Sequence, residues 1–164
     1  MPTTGRDLLD AARQEITEIT PDEVAELQGS GGQFALIDVR EPDEYRAGYI
    51  PGADHVSRGF LELKIEQVVP ERATPIIAYC AGGVRSLFAG QALRSMGYDD
   101  VKSMSGGYAK WKDLGHPVAV DKQMSTEQLD RYSRHFLLSQ IGEKGQAKLL
   151  DAKVLLPRPP DRPL

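Results

Sequence analysis

In IIAYCAGGVRSLFAGQALRSMGY, residues 76–98, the only cysteine of the chain ends an apolar run and precedes two glycines, an arginine and a helical pattern. With no second thiol to cross-link, Cys80 is either a small buried hydrophobe or a nucleophile. Its neighbours favour the nucleophile. A strand followed by a helix puts Cys80 at a strand's carboxyl end and in the turn entering a helix N-terminus. Amides converge there, and their partial positive charge holds an anion and lowers a thiol pKa. Gly82 and Gly83 let the backbone curl, so that the loop residues Ala81, Gly82, Gly83, Val84 and Ser86 offer amides and side chains to a bound anion. Arg85 adds a forked cation, either to hold substrate and product anions or to pin the loop through a salt bridge. Four residues separate Cys80 from Arg85. Cysteine phosphatases with this kind of cradle have five, a wider ring for tetrahedral phosphate, and the tighter ring suits a terminal sulfur.

The elements that position this loop follow from pattern. PIIAY, all apolar from Pro75 to Tyr79, reads as a strand buried on both faces of a parallel sheet. Ala89, Ala92, Leu93 and Met96 recur at helical spacing, and Gly97 ends that helix. FALIDV reads as a neighbouring strand that delivers Asp38 and Arg40 to the same sheet edge, where they buttress the loop. A short helix covers Asp7 to Glu15. Thr20, Pro21 and Glu23 in TPDE form a capping signature for a second. EPDEYRAG, FLELKIEQVV and GGYAKWKDLG read as further helices, VKSM as a strand, and GSGG at 29–32 as a linker because it precedes a strand. Trp111 and Leu114, three apart on a helix, are expected to pack in the core. Arg58, near Gly59, is expected to be a solvated surface arginine. Strands alternating with helices predict an α/β fold, a mostly parallel sheet with helices on both faces and a helical C-terminal appendage.

Composition narrows the function classes. The chain has 164 residues, 40% hydrophobic and 27% charged, with a net charge of −4, which offers no general basic surface for nucleic acid. His55, His116 and His135 are scattered, and with one cysteine they give no metal-ligand spacing. The polar N-terminal stretch and the lack of a long apolar run predict a cytoplasmic protein without membrane association. Residues 1–121 carry 12 basic and 19 acidic side chains, a net of −7, and the remainder carries 8 and 5, a net of +3. This shift predicts a boundary near Asp121. The expected organisation is a helix over 1–15, the α/β domain over 16–121, a second segment over 122–156 and a proline-rich disordered tail over 157–164.

Three stretches together resemble the rhodanese family of sulfurtransferases: CAGGVRS as its active-site loop, DVREPDEYRAGYIPGA (38–53) as its first signature, and GGYAKWKDLGHPV (106–118) as its closing pattern. Tyr49 stands where the family usually has histidine, in a turn away from the nucleophile. Ala81 stands where thiosulfate-using members often carry a cation. The resemblance implies that Cys80 takes a sulfane sulfur from a donor such as thiosulfate or a persulfide protein, becomes a persulfide without any other cofactor, and passes the sulfur to a thiophilic acceptor. Arg85 would then stabilise the anions. RYSRHFLLSQIGEKGQAKLLDAKVLL (131–156) resembles the opening of the ubiquitin-activating-like adenylyltransferases of molybdopterin and thiamine synthesis. It stops before their glycine-rich nucleotide loop, so no function is assigned to Arg134. It implies an adenylyltransferase and its sulfur-carrier protein as partners. Two rivals remain: a phosphatase or arsenate reductase on the same cradle, and a non-enzymatic interaction module of this fold.

Overall fold

The computed structural model describes residues 3–120 and Leu149. The chain divides into residues 1–120 and 121–164. Leu149 apart, the adenylyltransferase-like segment, the expected helical appendage and the expected disordered tail lie outside the described residues.

Among the described residues, five strands form one parallel sheet in the order β1-β5-β4-β2-β3: β1 is Thr17–Ile19, β2 Ala35–Asp38, β3 Asp54–His55, β4 Ile76–Tyr79 and β5 Val101–Met104. Strand β4 is central and buried along its whole length. This is why its sequence is continuously apolar instead of alternating. Alternate residues still face opposite sides. Ile76 and Cys80 join Ile37, Val39, Leu61, Ile65, Ala89 and Leu93 in one core layer. Ile77 and Tyr79 join Val24, Leu36, Met104, Tyr108 and Trp111 in the other. Helices α4 (Leu61–Val68) and α5 (Val84–Ser95) therefore cover one face, and α2 (Pro21–Gly29) and α6 (Gly107–Asp113) the other.

The helix starts are encoded locally. Thr20 accepts from the Glu23 amide while the Glu23 carboxylate accepts from the Thr20 amide at 2.8 Å, with Pro21 opening α2. The same reciprocal cap at Thr4 and Asp7 starts α1 (Gly5–Glu15). Helix α5 buries two sides. Ala89 and Leu93 face the sheet, while Leu87 packs with Ala12 and Ile16 at the end of α1. A Cβ on Gly90 would meet Ile16 at 2.9 Å, so the α1–α5 contact needs glycine there. Each fully buried leucine here stabilises the fold by about 1.5–3 kcal/mol.

One core expectation is corrected. Trp111 is buried and its indole N–H donates to the Pro117 carbonyl at 2.8 Å. Leu114, however, is 46% exposed, because α6 stops at Asp113 and the chain turns before Leu114 reaches the core. No helix among the described residues is long and apolar enough to cross a membrane.

Candidate active site

Cys80 stands at the carboxyl end of β4 and α5 begins at Val84, so the loop is Ala81 to Gly83. The residue is 1% exposed and faces the α5 side of the sheet. The Gly83 amide donates to its Sγ at 3.1 Å, and the Ser86 hydroxyl lies 3.6 Å from the sulfur. Behind Ser86, the Ser103 hydroxyl of β5 donates to Ser86 Oγ at 2.8 Å. Both serines are fully buried. Ser86 has one proton and two acceptors in reach, Sγ and the Gly83 carbonyl at 3.1 Å. A negative charge on sulfur would draw that proton to itself, because bonds to ionised acceptors are the stronger ones.

The other side of the loop is gripped by α6. The Tyr108 amide donates to the Cys80 carbonyl at 2.8 Å and the Ala109 amide to the Ala81 carbonyl at 3.0 Å. In a planar trans peptide N–H and C=O point opposite ways. With these two carbonyls turned to α6, the amides of Ala81 and Gly82 point away from it. The approach is close enough to require glycine at two places. A Cβ on Gly107, whose φ is +58°, would meet the Cys80 carbonyl oxygen at 2.3 Å, and one on Gly83, φ +95°, would meet the Gly106 nitrogen at 3.1 Å. Gly82 differs from the expectation: a Cβ there meets nothing within 4 Å, so only Gly83 supplies the left-handed turn.

Arg85 points to α3 (Pro42–Arg46). Its Nη1 and Nη2 donate to the two carboxylate oxygens of Glu44 at 2.7 and 2.8 Å, and Glu41 stands 3.9 Å from Nη1. The hydrogen bond from Arg85 is the main reason that the Glu44 carboxyl falls to about 2. In return, Glu44 raises the Arg85 pKa, and the field of Cys80 adds to this. Of the two roles open to Arg85 in the sequence, the salt bridge is thus formed, while the guanidinium stays in electrostatic reach of the sulfur.

Asp38 and Arg40 make a second fork, with Arg40 Nε 3.0 Å from Oδ1 and Nη2 donating to the Gly48 carbonyl at 2.7 Å. Burial pulls the Arg40 pKa down, but the bonds and charge of Asp38 leave it raised. The guanidinium lies 4.0 Å from the Tyr108 ring and 5.6 Å from the Tyr79 ring. It touches the residues on either side of the loop, not the sulfur. Burial is also the main cause raising the Tyr79 and Tyr108 phenols. Val84 is exposed at the loop's rim and Ala81 half-buried. Arg58 is paired with Glu62 at 2.8 Å. Sequence reasoning missed Ser103, Glu44 and Tyr108. EPDE held the only signal for Glu44, as a helix start, and a serine in VKSM carries none.

The family described as "Rhodanese-like domain" matches residues 20–114. YqhL of Bacillus subtilis (strain 168), an uncharacterized protein, is 37% identical over 76 residues, 46% of this chain and 59% of that relative. The chain thus spans about three fifths of that relative's length. The structure of RPA3614 from Rhodopseudomonas palustris CGA009, described as a "Possible Tyrosine Phosphatase", is similar with TM-score 0.66 and 32% identity, covering 73% of this chain and 99% of that one. The human single-domain sulfurtransferase TSTD1 is similar with TM-score 0.53 and 29% identity, covering 58% and 95%. A parallel sheet with a cysteine loop at its carboxyl edge, and a family match over more than half its length, make this chain a member of the rhodanese-like family.

Proposed function

We propose that the protein is a sulfurtransferase in which Cys80 carries the sulfur. The observation that supports this best is the Gly83 amide aimed at Sγ, with the Ser86–Ser103 hydroxyl chain behind it. Preorganised donors of this kind stabilise an anion without reorganisation. The Cys80 thiolate attacks the outer sulfur of a donor; for thiosulfate, the S–S bond breaks and sulfite leaves with the electron pair. The resulting Cys80 persulfide is then attacked at its outer sulfur by an acceptor thiolate, which departs as a persulfide and returns the Cys80 thiolate. The exchange needs neither a general base, if the thiol is already ionised, nor a metal or organic cofactor. The resemblance read at 131–156 supports a sulfur-carrier protein and its adenylyltransferase as the acceptor system.

Mass spectrometry after incubation with thiosulfate or a cysteine-desulfurase persulfide is expected to find one added sulfur on the Cys80 peptide. Cys80→Ser should abolish that adduct and all transfer to cyanide or a dithiol, with unchanged circular dichroism. Transfer at the parent rate in Cys80→Ser ends the proposal. A phosphatase reading has the description of RPA3614 in its favour. The four-residue spacing and the guanidinium already bound by Glu44 speak against it, and hydrolysis of an aryl phosphate would support it. The near-complete burial of Cys80 favours an interaction module. Alkylation of Cys80 across pH tests that, an ordinary thiol pKa supporting the module and a depressed one the enzyme.

A further inference from the structure

Arg85 is the only cationic side chain between Cys80 and Ser86, and both arms of its fork are taken. Glu44 receives both guanidinium nitrogens, and the same carboxylate accepts the Glu41 amide at 2.9 Å, which fixes it at the start of α3. Glu41 adds a second carboxylate 3.9 Å from Nη1. One positive charge is therefore matched by two negative ones at the rim of the loop. Ala81 brings no cation to offset them. A dianion approaching Cys80 meets a cluster of net charge −1, and a sulfonate could take the Nη1–Nη2 face of Arg85 only by displacing Glu44 from a bidentate pair.

We infer that Glu44 is a specificity-determining residue, masking Arg85 so that the loop takes sulfur from persulfides carrying one negative charge or none in preference to the thiosulfate dianion. The substrate class rests on the sulfurtransferase reading above. With an alkyl hydropersulfide the Cys80 thiolate attacks the terminal sulfur, the S–S bond breaks, and the alkyl thiol leaves with the proton. The charge on the loop stays at one throughout. With thiosulfate three negative charges share the site during attack.

The experiment compares kcat/KM for thiosulfate and for an alkyl hydropersulfide in the parent protein, Glu44→Gln and Glu41→Gln. In parallel, Cys80 alkylation by anionic iodoacetate and neutral iodoacetamide reads the local charge without sulfur transfer. Glu44→Gln is expected to raise the thiosulfate-to-persulfide ratio about tenfold, through a lower KM for thiosulfate, and to raise the iodoacetate-to-iodoacetamide ratio in step. Glu41→Gln, more distant from Arg85, should move both the same way by about twofold. It carries the test if Glu44→Gln fails to fold. Loss of packing alone would slow both donors together. Unchanged or lowered ratios in folded variants overturn the inference. If the parent protein forms no persulfide from either donor, the sulfurtransferase reading and the donor preference fall, while the alkylation ratios still decide whether Glu44 masks Arg85.

Discussion

Both arginine–carboxylate forks near the Cys80 loop have bidentate geometry, yet water reaches only one of them. Asp38 and Arg40 are 0% and 3% exposed, sealed between Tyr79 and Tyr108; Glu44 and Arg85 are 30% and 35% exposed on the rim. Burial decides what each can do. A sealed pair must stay complete, because either charge left alone has no water to fall back on. A rim pair can lose a partner cheaply, so its charge balance is free to serve the chemistry of the loop. The fork made by neighbours two residues apart is thus structural, and the fork made across the fold tunes the site.

The widest test of this contrast is Asp38→Ala. It strands the buried Arg40 guanidinium and is expected to cost about 3–5 kcal/mol in urea unfolding. A loss under about 1 kcal/mol would show that Arg40 is not sealed. Glu44→Gln should cost at most about 1 kcal/mol at neutral pH, since the pair is part-exposed and screened. Its pH dependence sharpens the point. The Glu44 carboxyl lies at about 2 against an ordinary 4.5. The stability it adds is complete above pH 4.5 and is lost as pH falls toward 2. The stability gap between the parent protein and Glu44→Gln, followed by urea melts, should narrow over that window and stay flat above it. Smallest is Arg58→Ala, which removes an i,i+4 pair with Glu62, 30% and 44% exposed. It should shift stability by less than about 0.5 kcal/mol and leave donor preference unchanged.

Strand β4 was legible because burial on both faces demands an unbroken apolar run, and α2 because Thr20, Pro21 and Glu23 write its cap within four residues. The edge strands β1 and β3, three and two residues long, were not, since so few residues carry no period. Of α5, spacing revealed the face carrying Ala89 and Leu93 but not the second face, because only α1 makes Leu87 and Gly90 interior. Leu114 misled because helical spacing continues past the point where α6 ends. In the loop, two adjacent glycines looked equivalent, yet only Gly83 has a positive φ.

What the sequence determined by itself is what neighbours along the chain can settle: a cysteine ending a buried strand, a turn into a helix N-terminus, and an arginine at its start. Tertiary structure alone decided the partners. Glu44 reaches Arg85 across 41 residues, and Ser103 comes to Ser86 only because β5 lies beside β4. Tyr108 and Ala109 hold the loop carbonyls only because α6 starts where the loop passes. Local chemistry fixes which atom can react, but the field around that atom is a sum over groups that only the packed sheet brings within a few ångströms.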